Sequence, residues 1–129
     1  MGSPATILVV DDEPSVLRYM RTLLEVEDYH VETAASGREA LARIEKEPVP
    51  DLVLLDITMP QLDGIGTLRA IMEQDPNAKV VIISSLGNKE MVWKAIGLGA
   101  KSFLTKPLNA DYAALVIGDV VRGEGGGAR

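Results

Sequence analysis

The hydrophobic period of this chain switches repeatedly between two templates. Thr6-Ile7-Leu8-Val9-Val10 is a short, continuously apolar, β-branched run, the pattern of a strand buried on both faces. Pro14 then stands where the first turn of a helix tolerates proline, and Val16, Met20, Leu23 and Leu24 recur along one helical face. His30 to Ala34 reads as a second strand. Ser36 and Glu39 form a Ser-x-x-Glu capping box opening a helix with Leu41 and Ile44 inward. Pro48-Val49-Pro50 breaks that helix, and Asp51 to Leu55 is a third apolar strand.

The alternation continues to the end. A loop bearing Pro60 and Gly64 leads into a helix with Ile65, Leu68 and Met72 on one face. Asp75-Pro76-Asn77 predicts a turn, and Lys79 to Ser84 a fourth strand rich in Val and Ile. Asn88 is placed to cap a fourth helix whose inward face carries Met91, Ala95 and Leu98, and Gly99 ends it. Lys101 to Leu104 is a fifth strand, and Asn109 caps a last helix running to about Arg122. Strands alternating with helices in this way imply an α/β fold, a doubly wound parallel sheet covered on both faces.

Length and composition narrow the class. The 129 residues are one domain's worth, with residues 5–122 as the folded unit. Residues 1–4, with Met1-Gly2-Ser3, read as an expression scar, and residues 123–129 as a flexible Gly-rich tail. Acidic residues outnumber basic ones 19 to 13, for a net charge of −6, a field that repels phosphate backbones. No direct DNA binding by this chain is expected. Cysteine is absent, which excludes a disulfide framework and thiolate metal sites and fits a reducing, cytoplasmic setting. His30 is the single histidine, so His-rich metal sites are excluded too. No apolar run approaches the ~20 residues of a membrane span, and no membrane insertion is expected.

In an open parallel sheet, ligands collect outside the carboxyl ends of the strands. The residues just past those ends therefore test for function. After the first strand come Asp11, Asp12 and Glu13; after the third, Asp56; after the fourth, Ser84 and Ser85; after the fifth, Lys106-Pro107. Two carboxylates ~4 Å apart repel by roughly 4 kcal/mol at an effective dielectric of 20. A hard divalent cation relieves that repulsion, and Mg²⁺ takes one or two carboxylates together with waters and phosphate oxygens. The cluster thus predicts a Mg²⁺ site completed by an anionic oxygen ligand. Lys106 adds a second positive charge and Ser84 a hydrogen-bond donor, the apparatus of phosphoryl transfer. Asp56 stands alone at the end of the central strand, so it is the candidate nucleophile, while the adjacent Asp11 and Asp12 suit metal binding.

These residues carry a resemblance. Val9-Val10-Asp11-Asp12-Glu13-Pro14, Leu54-Leu55-Asp56-Ile57-Thr58-Met59-Pro60 with Asp63-Gly64, Ile83-Ser84-Ser85, Gly99-Ala100 and Phe103-Leu104-Thr105-Lys106-Pro107 appear in that order. Together they make the chain similar to the receiver domain of two-component response regulators, the CheY-like superfamily, over about residues 5–122. Around Ser84-Ser85-Leu86-Gly87-Asn88 it resembles the single-domain, chemotaxis-type members. The resemblance implies a flavodoxin-like sheet of strand order 2-1-3-4-5. It implies that Asp56 is phosphorylated by a histidine kinase or phosphotransfer protein, and that the altered surface selects a downstream protein target. It implies that Asp12, Asp56 and the backbone carbonyl of Thr58 bind Mg²⁺, with Asp11 acting through water. Lys106 would pair with phosphoryl oxygens, the Lys106-Pro107 bond would be cis, and Ser84 would turn inward with Phe103 following.

Phe103 stands where relatives often carry Tyr, so ring burial rather than a phenol hydroxyl must carry the switch. Leu86 cannot orient a hydrolytic water, which predicts slow to moderate autodephosphorylation. Trp93 lies off the core stripe of its helix and, with Val92 and Ile96, marks a candidate output surface.

Taken singly, each residue has a plainer reading. Asp11 and Asp12 could simply favour a helix dipole, Lys106 could be a solvated surface lysine, and either Ser84 or Ser85 a turn hydroxyl. Context removes most of these, and the 22-residue spacing from Ser84 to Lys106 favours Ser84 over Ser85. Two other functions stay open. One is a Mg²⁺-dependent phosphatase with an Asp nucleophile, although such enzymes commonly carry an acid where this chain has Thr58. The other is a receiver belonging to a larger regulator whose output lies elsewhere.

Overall fold

The computed structural model describes residues 4–58 and 64–123. The expected scar at Met1-Gly2-Ser3, the tail from Glu124 onward, and Met59, Pro60 and Asp63 of the motifs above lie outside them. Ten elements alternate: β1 (Thr6–Val10), α1 (Pro14–Val26), β2 (His30–Ala34), α2 (Gly37–Ile44), β3 (Leu52–Asp56), α3 (Gly64–Gln74), β4 (Val80–Ser84), α4 (Lys89–Leu98), β5 (Ser102–Thr105) and α5 (Ala110–Val121). The strands form one parallel sheet in the order β2-β1-β3-β4-β5. This is the flavodoxin-like arrangement expected from the sequence.

Period-two alternation divides the central strands between two cores. Leu8, Val10, Val53, Leu55, Val80 and Ile82 face the layer built by α2, α3 and α4. Ile7, Val9, Leu52, Leu54, Val81 and Ile83 face α1 and α5. Every residue of β3 and β4 is buried, which is why both read as unbroken apolar runs. β3 lies in the middle of the sheet, between β1 and β4, so Asp56 stands at the end of a fully enclosed strand.

Several boundaries differ from the sequence reading; β4, for one, starts at Val80 rather than Lys79. β3 runs one residue later than expected, so Asp56 is its last residue rather than the first beyond it. Asp51 is instead occupied outside the strand, its carboxylate accepting the Thr6 amide at 2.7 Å. Asp56 pairs with Ile83, and the Ile57 amide continues the ladder to the Ile83 carbonyl. β5 likewise begins at Ser102 and ends at Thr105, opposite Ser84. Gly64 is not a loop residue but the start of α3. A Cβ there would sit 2.0 Å from the Cα of Ile57 and 2.8 Å from the carbonyl oxygen of Asp56. No other residue type allows α3 to begin so close to the end of β3.

The helix caps divide as well. Ser36 Oγ accepts the Glu39 amide at 3.2 Å, and Glu39 reaches back to the amide of Ala35. Asn109 accepts the Tyr112 amide at 2.9 Å. Asn88 makes no such bond, because its backbone at φ −99°, ψ 45° is not the extended conformation a capping side chain needs.

Candidate functional site

Two aspartates reach the carboxyl edge of the sheet by the same local device. Asp11 Oδ1 accepts the amide of Glu13 at 3.0 Å, and Asp56 Oδ1 accepts the amide of Thr58 at 2.8 Å. An Asp side chain bonded to the amide two residues on forms a closed turn, which fixes its orientation where the strand ends. Asp56 also accepts the Thr58 hydroxyl on Oδ1 at 2.6 Å and Lys106 Nζ on Oδ2 at 3.1 Å. Lys106 Nζ lies 3.8 Å from Asp11 Oδ2. One ammonium thus bridges two carboxylates that sit on neighbouring strands, and the Lys106–Pro107 peptide bond beside it is cis.

Burial makes the balance unequal. Asp11 is buried and, among the described residues, its Oδ2 has no hydrogen-bond partner. Desolvation pushes its carboxyl up to about 6; the Glu13 amide opposes this and the charge of Asp56 adds to it. Asp56 is also buried, and desolvation pushes it up, but the Thr58 hydroxyl and amide and the Lys106 ammonium outweigh that and hold it below the usual carboxylate range. For Lys106, burial lowers the pKa and its hydrogen bond and charge interaction with Asp56, followed by Asp11, reverse the sign, leaving it above the ordinary lysine value. At neutral pH the site holds two negative charges near one positive charge, with Asp12 exposed beside them.

A cation fits that surplus. Asp11, Asp12 and Asp56 each offer a carboxylate oxygen, and these atoms lie within 4.8 Å of one another. All are hard oxygen donors, and the orphaned Asp11 Oδ2 is an acceptor already stripped of water, so the residues present suit a divalent ion such as Mg²⁺.

The remaining expected residues fall into two groups. Ser84 is buried at the end of β4, its hydroxyl donating to the Ser85 carbonyl at 3.1 Å. Phe103, 43% exposed, lines a groove of about 400 Å³ between α4 and β5, together with Val92, Trp93, Ile96 and Leu86. Trp93 is the most open of the aromatic rings, at 73%. Val92 and Ile96 line the groove and also pack partly against the α2–α4 core, so they are less purely surface residues than the sequence suggested. Leu86 is exposed at the groove's rim. The sequence reading did not foresee the bond from the Thr58 hydroxyl to Asp56. An Asp at a strand end followed two residues later by Thr is the signal for it.

Comparison with known proteins bears on the family and the fold. Residues 7–116 match the model of the response regulator receiver domain. The chain is 47% identical over 110 residues to the chemotaxis protein CheY of Treponema pallidum, covering 84% of this chain and 76% of that protein. It is 43% identical over 109 residues to the CheY of Listeria monocytogenes, covering 81% of this chain and 88% of that protein. Among solved structures, NtrX of Brucella abortus superposes with a TM-score of 0.88 at 38% identity, over 93% of this chain but 27% of that one. Single-domain regulators and the receiver portions of larger regulators are both among its relatives.

Proposed function

Because this chain belongs to the family of response regulator receiver domains, we propose that Asp56 is its phosphoacceptor and that phosphorylation remodels the α4–β5 groove. The observation that carries the reading is the pairing of a buried carboxylate with Lys106 at 3.1 Å, beside a second buried carboxylate with an oxygen that, among the described residues, accepts no hydrogen bond. An oxygen of Asp56 attacks the phosphorus of a phosphohistidine on a histidine kinase or phosphotransfer protein. The P–N bond breaks, the new O–P bond forms, and the electron pair leaves on the imidazole. Asp11, Asp12, Asp56 and the backbone carbonyl of Thr58 would hold Mg²⁺, which when bound supplies neutralisation of the charge gathered on the phosphoryl oxygens.

The chain's own groups do the positioning. Lys106 follows the phosphoryl oxygens as negative charge moves off Asp56. The Ser84 hydroxyl exchanges its bond to the Ser85 carbonyl for one to a phosphoryl oxygen, and the half-exposed Phe103 ring turns into the space released. Burial of Phe103 reshapes the groove lined by Trp93, and the changed surface selects a protein target. In this reading the protein is a switch of the cytoplasm that catalyses only its own phosphorylation and dephosphorylation. Among the described residues, no helix is long and apolar enough to cross a membrane.

The switch is tested by amide and indole NMR with Mg²⁺ and beryllofluoride, a phosphoryl mimic. Shifts extending from Asp56 to Ser84, Phe103 and the Trp93 indole are expected. Shifts confined to the loops around Asp11, Asp56 and Lys106 would refute coupling to the groove.

A further inference from the structure

The hydrogen bonds to Asp56 are unevenly divided. Among the described residues, Oδ1 accepts both the amide and the hydroxyl of Thr58, whereas Oδ2 accepts Lys106 alone. A carboxylate oxygen has about two lone-pair positions, so Oδ1 is fully engaged. A cation shared with Asp11 and Asp12 is repelled from the Oδ2 side by the ammonium 3.1 Å away. Its share of Asp56 is therefore Oδ1, where the Thr58 hydroxyl stands.

Resting on the metal-binding reading above, we propose that the Thr58 hydroxyl holds the cation's place on Asp56 and must rotate away before Mg²⁺ binds. The amide bond is fixed by the backbone, but the hydroxyl sits on an exposed side chain and can turn toward solvent. Displacing it breaks a short bond to a charged acceptor, only partly replaced by water, and that cost is subtracted from metal affinity. Without metal, the same bond helps keep the carboxylate oriented. Thr58 is thus a positioning residue that also sets the Mg²⁺ concentration at which the site fills.

The test is calorimetric titration with MgCl₂, at one pH and ionic strength, of the wild type, Thr58→Val and Thr58→Ser. Valine keeps the shape and the backbone amide but has no donor; serine keeps the donor. Thr58→Val is expected to bind Mg²⁺ about tenfold more tightly, as expected for one lost bond to a charged acceptor. Thr58→Ser should stay close to the wild type. Unfolding in EDTA gives a second readout: Thr58→Val should be less stable without metal yet gain more from added Mg²⁺. A merely structural role would lower stability and leave the metal-dependent gain unchanged. Equal or weaker Mg²⁺ binding by Thr58→Val overturns the proposal, as does equal tightening by Thr58→Ser. If the valine variant fails to fold, Thr58→Ala carries the same expectation. Absence of Mg²⁺ uptake by the wild type would instead remove the metal-binding reading, and this inference with it.

Discussion

Replacing Asp11 with asparagine should stabilise the metal-free protein. The carboxylate is 1% exposed, one of its oxygens has no hydrogen-bond partner among the described residues, and the charge of Asp56 is close by. Its carboxyl is raised from 3.8 to about 6, chiefly by burial. At 1.36 kcal/mol per unit of pKa, keeping it ionised at pH 7 costs the folded state about 3 kcal/mol. Asparagine removes the charge but brings an amide that must find a partner. Its NH₂ group can donate toward Asp56, so a net gain of about 2 kcal/mol is expected. The pH dependence has a definite sign. A folded-state pKa above the unfolded one means that the penalty is complete above about pH 6 and disappears as pH falls toward 3.8. Urea unfolding in EDTA should therefore show the variant well ahead of the wild type at pH 7.5 and the two converging near pH 4.5. Added Mg²⁺ should stabilise the wild type far more than the variant. A variant less stable than the wild type in EDTA at pH 7.5 would show that desolvation of Asp11 is not the dominant cost at the site.

Gly64→Ala should cost about 3 kcal/mol or more in urea unfolding, because the added Cβ meets the Ile57 backbone rather than a movable side chain. Leu54→Ala, at a fully buried position in the central strand, should cost roughly 2–5 kcal/mol by the same measurement. Lys106→Met should slow labelling by acetyl phosphate at least tenfold while the protein still binds Mg²⁺, followed by intact mass against time. Trp93→Ala should leave both stability and labelling within error of the wild type and weaken capture of a protein that binds the phosphorylated form, because the ring is 73% exposed and makes none of the hydrogen bonds to Asp56.

The fold was legible because the strongest local signals agreed with the global one. Val9, Leu54 and Ile82 lie in runs that only a sheet covered on both faces can bury, and the helices between them carry one apolar stripe each. The site was legible for a related reason: acidic residues ending such runs have no role in packing, so Asp11 and Asp56 stood out. What the sequence concealed depends on backbone detail. Composition does not distinguish Asn88 from Asn109, yet only the second has the extended backbone that lets its side chain cap. The role of Gly64 depends on how closely α3 approaches Ile57, a distance between residues several positions apart. The Thr58 hydroxyl depends on which oxygen of Asp56 the turn leaves available, which is a matter of ångströms.

The central claim is that Asp56 accepts a phosphoryl group. Its most direct test is the intact mass of the protein after incubation with Mg²⁺ and acetyl phosphate, beside an Asp56→Asn variant and an EDTA control. The account predicts one added phosphoryl group on the wild type, absent from both controls and persisting longer than seconds, since the exposed Leu86 cannot orient a hydrolytic water. An adduct of the same size on Asp56→Asn would contradict the assignment, and so would the absence of any adduct on a folded, Mg²⁺-bound wild type that also fails to take up beryllofluoride.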